Sequence, residues 1–448
     1  MASQLNMTRG RPFKLLFFFS LPLMFGNVFQ QLYTVVDTAI VGRGVGMDAL
    51  AALGTVDWLN WLFFGIVQGY TQGFSVRISQ CFGRNDIAGM KRIAGQAAFL
   101  SILMALLVPV LALSMLPLFF KLLQVPQNLQ AMARLYITIL LLGYPALVFY
   151  NYCASLLRAV GNSKVPLYAM IVASITNILL DCIAVFSLGL GIAGAAIATV
   201  SAQALSGLVC LLYLRKMPQL HFTKKDFLPQ KNICKDLLGL GTPLVAKNTV
   251  IALGGMVVQS IVNRFSLGFI AGFTATNKLY GLLEIAAISY NHAVTTYVGQ
   301  NYGAGKMDRV KEGMKASIAL GVVTAAVIGA IMIIFGRPIT MLFISRENPV
   351  LALEAGNIAY WYLFSMAVSL PALYLLYVFQ AGLQGMGHTP TTFISGIIEL
   401  ALRVSLSLLV AHTGVQYGIF GAEVSAWWGA GIYLTITFWQ KYKKALPK

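Results

Sequence analysis

Twelve apolar runs, each long enough to cross a bilayer, account for most of this chain. A helical span needs about 20 apolar residues, and lipid admits only backbones whose hydrogen bonds close internally. The runs fall at residues 13–42, 55–80, 93–116, 131–157, 166–188 and 191–214. They resume at 238–264, 269–297, 314–335, 353–384, 391–412 and 416–440. An all-α membrane protein of twelve transmembrane helices is expected. Composition agrees, with 58% hydrophobic and 10% charged residues, against about 25% charged in a soluble domain. The five cysteines form no Cys-x-x-Cys pair, and His221, His292, His388 and His412 are dispersed. Neither a disulfide framework nor a metal centre is indicated. A polar, basic start with no small-residue cleavage pattern behind the first run leads us to expect no cleavable leader.

A net charge of +18 would fit a nucleic-acid partner, but its placement argues against one. With the N-terminus inside, 22 of the 32 Lys and Arg lie on the inner segments and five on the outer ones. The other five (Arg77, Arg134, Lys247, Lys278, Arg403) lie within or at the edges of spans. That asymmetry is the positive-inside pattern. It places both termini in the cytoplasm, fits a cell (inner) membrane, and allows some attraction to anionic lipid.

The basic stretch Arg215–Asp236 divides the chain, and the halves echo each other. Leu21-Pro22-Leu23 parallels Thr242-Pro243-Leu244, and Gln80-Cys81-Phe82-Gly83 parallels Gln300-Asn301-Tyr302-Gly303. Leu157 to Asn162 parallels Leu383 to His388, and Gly191 to Ala195 parallels Gly418 to Ala422. We expect an N-terminal lobe at 1–214, a cytoplasmic linker at 215–237 and a C-terminal lobe at 238–448. Two six-helix, pseudo-symmetric lobes around a substrate cleft are a common transporter plan. Such a chain can work as a monomer in the bilayer.

Ionisable residues inside spans are costly and are functional candidates by default. Gln30, Tyr33 and Asp37 share a face of the first span, at i, i+3 and i+7. Asn177 and Asp181 share a face of the fifth. Thr199 lies in the sixth, and Tyr136 and Asn151 add polar groups in the fourth. Thr199 and Asn151 equally fit plain interhelical hydrogen bonding. A buried carboxylate holds a proton to higher pH, and the oxygens of Asp37, Asn177, Asp181 and Thr199 also suit a hard cation such as sodium. Glu284 is the one deep acid of the second half, a candidate for substrate binding or a second cation site, or else the countercharge of Lys278. Glu399 and Arg403, at i and i+4, read as an internal salt bridge.

The segment Val298-Gly299-Gln300-Asn301-Tyr302-Gly303-Ala304-Gly305-Lys306, followed by Arg309, resembles the loop signature of the multidrug and toxic compound extrusion (MATE) family. The resemblance implies efflux of organic, often cationic, small molecules in exchange for H+ or Na+, with no cofactor beyond the coupling ion. It also implies that Asp37, Asn177, Asp181 and Thr199 match the cation site of the DinF-like branch. Tyr33 belongs to the same network, and Pro22 matches a proline thought to bend the first helix. Another branch uses carboxylates in spans seven and ten. Here span seven has none and span ten has only Glu354, at its outer end.

A flippase for lipid-linked saccharides, from the same superfamily, is the alternative within transport. It would be expected to carry more arginine in its spans. A membrane transferase is disfavoured because no HExxH, DDxxD or P-loop motif is present. A channel is disfavoured because no selectivity-filter run is visible. The chain is therefore expected to be a transporter and not an enzyme.

Overall fold

The computed structural model describes residues 5–123, 125–220, 222–344 and 349–446, with only the backbone for Trp58 and Lys224. His221 lies outside the described residues, as do Arg346 and Lys448, one of the five outer and one of the 22 inner basic residues. Among the described residues, all regular structure is helical. The first half comprises α1 (Pro12–Gly44), α2 (Met47–Gly83), α3 (Ile87–Leu122), α4 (Gln127–Leu142), α5 (Tyr144–Ala159), α6 (Lys164–Asp181) and α7 (Gly191–Arg215). The second comprises α8 (Lys231–Val262), α9 (Leu267–Gly303), α10 (Met307–Met341), α11 (Pro349–Gly385), α12 (Pro390–Thr413) and α13 (Phe420–Ala445).

These helices occupy the positions of the twelve expected spans. Eight are long and apolar enough to cross a membrane on their own, or up to ten segments if each bent pair counts as one. Two departures from regular spans matter. The fourth is broken at Gly143, where α4 and α5 meet with a 45° bend. A Cβ on Gly143 would stand 2.1 Å from the Val200 side chain of α7, so glycine permits that approach. In the fifth, α6 passes directly after Asp181 into a π-helical turn, Cys182–Ser187. Gly189 and Gly191 then turn the chain at φ +62° and +56°, angles that glycine takes without strain.

The internal repeat extends to the backbone. After α2, Asn85 is left-handed (φ 63°), and after α9, so is Gly305 (φ 70°). Asp86 N–H bonds Cys81 O at 3.0 Å, and its counterpart Lys306 N–H bonds Asn301 O at 2.9 Å. Both are the six-to-one closure of a Schellman helix end. Likewise Gly161 (φ 81°) and Gly387 (φ 86°) end α5 and α11. There Asn162 N–H bonds Leu157 O and His388 N–H bonds Leu383 O, both at 2.8 Å.

The chain forms two compact units, one of Met1–Asn6 and Leu21–Val245, the other of Met7–Ser20 and Ala246–Lys448. Their limits differ from the sequence-based lobes in three respects, one being that residues 238–245 of α8 fall in the first unit. The linker belongs with the first unit because side chains there hold it. Arg77 of α2 makes a two-pronged ion pair with Asp236, at 2.6 and 2.7 Å. The first turns of α1 belong with the second unit, and residues ahead of that helix are held there. Gln300 Oε1 accepts from Met7 N–H at 2.9 Å, and Arg309 donates to the carbonyls of Met7 (3.1 Å) and Gly10 (3.0 Å).

Candidate cation site

In the first unit, α1 carries Gln30, Tyr33 and Asp37 on one face. The Tyr33 hydroxyl lies within hydrogen-bonding reach of the Gln30 and Thr34 side chains and close to Asp37. Asp37 is buried, as are Asn177 and Asp181 of α6. Ser174, one turn ahead of Asn177, donates to Phe29 O of α1 at 3.3 Å and ties the two helices together. The carboxyls of Asp37 and Asp181 come within hydrogen-bonding reach of each other. While both are ionised, neither can donate to the other.

Thr199 comes from α7, which packs along α6. Asn177 Nδ2 donates to Thr199 Oγ1 at 3.5 Å, so the amide oxygen is the atom left over. Tyr136 of α4 is buried within the electrostatic field of Asp37, Asp57 and Asp181. Asn151 is buried as well, but its amide donates to its own helix at Leu147 O, 2.9 Å away. Pro22 sits inside α1, next to the limit at which that helix changes unit.

This cluster gathers several unused oxygens on neighbouring helices. Asp37 Oδ1, Asn177 Oδ1 and both carboxylate oxygens of Asp181 are buried with no hydrogen-bond partner. Each such atom costs about 1–3 kcal/mol when left unsatisfied. Together they form an acceptor-rich pocket that a proton or a hard cation would satisfy. The π-helical turn starts at the residue after Asp181, and such turns often mark functional positions.

The second unit holds a larger buried network, only part of which could be read from spacing. Glu284 accepts from Tyr280 at 3.2 Å and from Tyr377. Lys247 of α8 donates to Gln380 and lies 5.7 Å from the centre of the Tyr377 ring. Arg403 meets Glu399 at 3.6 Å, as the i, i+4 spacing requires, but its closer partner is Glu423 at 2.7 Å. Trp427 Nε1 also donates to Glu423, at 3.2 Å, and stacks on Tyr280. Lys278, offered above as countercharge to Glu284, is exposed, and Lys247 is the cation acting on Glu284. Three carboxylates thus share a buried cluster with two cations. The partners Tyr377, Gln380 and Glu423 were missed because each lies on another helix, where no sequence interval signals contact.

Residues 22–183 and 243–409 match the MatE family model. Among relatives, the probable multidrug resistance protein YoeA of Bacillus subtilis (strain 168) is 28% identical over 74% of this chain and 73% of its own length. The multidrug export protein MepA of Staphylococcus haemolyticus (strain JCSC1435) is 23% identical over 92% of this chain and 90% of its own. Among solved structures, a MATE in complex with MaL6 superposes with a TM-score of 0.92 at 23% identity, covering 99% of both chains. A MOP superfamily transporter from Pyrococcus furiosus gives the same TM-score and identity over 99% of this chain and 98% of its own. Likeness of this kind establishes the fold.

Proposed function

The chain belongs to the MatE family, and on that premise we propose that it is a cation-coupled multidrug efflux antiporter, exporting organic, often cationic, compounds in exchange for H+ or Na+. The carrying observation is the set of buried, partnerless oxygens on Asp37, Asn177 and Asp181. Family membership supplies the transporter class, and the export proteins among its relatives support the substrate class.

The coupling step follows from the chemistry of two facing carboxylates. When both are charged they repel, and burial strengthens that repulsion. A proton on one turns it into a donor for the other. A sodium ion would instead draw on the oxygens of Asp37, Asn177, Asp181 and Thr199. Either load removes the repulsion between α1 and α6, so loaded and empty forms favour different arrangements of the helices. That difference in energy is what alternating access requires. Tyr33, Gln30 and Tyr136 orient the pair, Asn151 supports the surrounding packing, and Pro22 lets α1 respond, since proline interrupts the helical ladder. Glu284 is the candidate for a substrate contact or second cation site, because its cluster has one more carboxylate than cations. We place the protein in the inner membrane with both termini cytoplasmic, working as a monomer.

The test is efflux of ethidium from proteoliposomes under a proton gradient and, separately, a sodium gradient, for wild type and Asp37→Asn. Gradient-driven efflux lost in the variant is expected. Efflux retained by a folded Asp37→Asn protein would sink the coupling assignment.

A further inference from the structure

The linker lies back on the first unit as a roof. Gln96 of α3 donates to the carbonyls of Asp226 (3.0 Å) and Leu228 (2.7 Å), and accepts from Gln230 N–H at 2.7 Å. A Cβ at Gly95 would stand 2.1 Å from Asp226 O, so the approach depends on glycine. A capping box between Thr223 and Asp226 fixes the turn itself. The rings of Phe222 and Phe227 meet edge to face at 5.6 Å.

Beneath these rings, α3, α5 and α7 leave a cavity of about 650 Å³, well within the range of small-molecule pockets, about 300–1,000 Å³. Its walls are mostly apolar, including Phe149, Tyr152 and Leu211. Ile102 and Leu106 line it and are themselves 59% and 60% exposed. The mouth therefore opens on the apolar flank of α3, where lipid lies. Arg215, the last residue of α7, also lines it, and Lys216 and Lys225 follow on the exposed linker. The wall carries one unexplained polar atom. Ser101 Oγ is buried, with the residue 4% exposed, and has no hydrogen-bond partner. Ser114, further along the same helix, satisfies its hydroxyl on Leu111 O.

We propose that this cavity binds an anionic phospholipid, with one acyl chain against α3, α5 and α7, its phosphate at Arg215 and an ester carbonyl at Ser101. An apolar chamber open to lipid calls for a hydrocarbon chain. The positive charge at its end selects a negative headgroup and disfavours an organic cation. The proposal uses none of the coupling residues, so it stands or falls apart from the antiport reading.

Native mass spectrometry of the full-length protein in detergent, with dioleoyl phosphatidylglycerol or dioleoyl phosphatidylcholine added, tests it. Wild type should retain phosphatidylglycerol several-fold better than phosphatidylcholine. Arg215→Gln, an exposed position, should remove the preference, and Ser101→Ala should weaken retention of both lipids. Ala105→Phe should fill the cavity and lower both further. Should Ala105→Phe lose its thermal transition, Ile102→Trp at the open rim fills the mouth instead. Equal retention of the two lipids by wild type would overturn the proposal, as would a preference that survives both Arg215→Gln and cavity filling. Displacement of bound phosphatidylglycerol by ethidium, one for one, would assign the cavity to exported compounds and also overturn it.

Discussion

Asp37 and Asp181 differ from Asn177 in what each can hold. Either carboxylate can take a proton, whereas the Asn177 amide oxygen can ligate a metal ion but not a proton at any physiological pH. Replacing Asn177 with leucine would therefore separate the two ions proposed for coupling. Sodium-driven ethidium efflux should fall at least about tenfold, the effect of losing some 1.4 kcal/mol of ion binding, while proton-driven efflux persists. Equal loss under both gradients would mean that Asn177 acts by positioning Asp181. In the second unit, Glu423 holds Arg403 at 2.7 Å. Glu423→Gln should lower the stability of the purified protein by only about 1 kcal/mol, since a glutamine oxygen still accepts from Arg403 and Glu399 still compensates its charge. Unchanged melting would show that Glu399 alone suffices for Arg403. The first-span face of Gln30, Tyr33 and Asp37 was legible because helical spacing fixes it. So was the Asn177 and Asp181 pair. The meeting of Asp37 with Asp181, and of Glu284 with Tyr377, was not legible from spacing, since these pairs join different helices. For the first pair only the family resemblance pointed the way.

Within the helices, apolar run length gave the place of a helix for each expected span, because lipid imposes that length. It gave no hint of the break at Gly143 or of the π-helical turn after Asp181, both of which leave composition unchanged. The break has a consequence for the site. Val200, which a Cβ at position 143 would meet at 2.1 Å, is the neighbour of Thr199. Its branched side chain is stiff and cannot swing clear cheaply. Gly143→Ala should therefore displace α7 and weaken the contact between Asn177 and Thr199. We expect a stability loss of about 1–3 kcal/mol, typical of overpacking, together with a selective loss of sodium-driven efflux. A variant with wild-type melting and wild-type sodium response would show that α7 absorbs the methyl elsewhere and that Thr199 is not held by this approach.

Across the whole chain, the repeat predicts more than similar helices. The end of the second helix of each half holds the start of a half's first helix or the residues just ahead of it. In the first unit, Gln80 accepts from Arg77 at 2.9 Å while Arg77 holds Asp236, in the first turns of α8. In the second, Gln300, Asn301 and Arg309 hold the backbone of Met7 to Gly10, ahead of span one. The repeat offset was readable, but these grips were not. Most fall on carbonyls and amides, which carry no side-chain signature, and so the compact units depart from the sequence-based lobes. The family-like loop thereby gains a structural task in this chain. Arg309 supplies two of the hydrogen bonds to that backbone, each charge-assisted, and such bonds are worth about 1.5–3 kcal/mol. Arg309→Ala should leave α9 and α10 intact and release residues 7–10. Hydrogen exchange of the Met7 amide should rise by at least about tenfold, as the loss of 1.4 kcal/mol of protection implies. Exchange across α9 should stay unchanged. Faster exchange throughout α9 would mean that Arg309 stabilises the helix end itself. An unaltered Met7 amide would mean that Gln300 and Asn301 hold the segment without it.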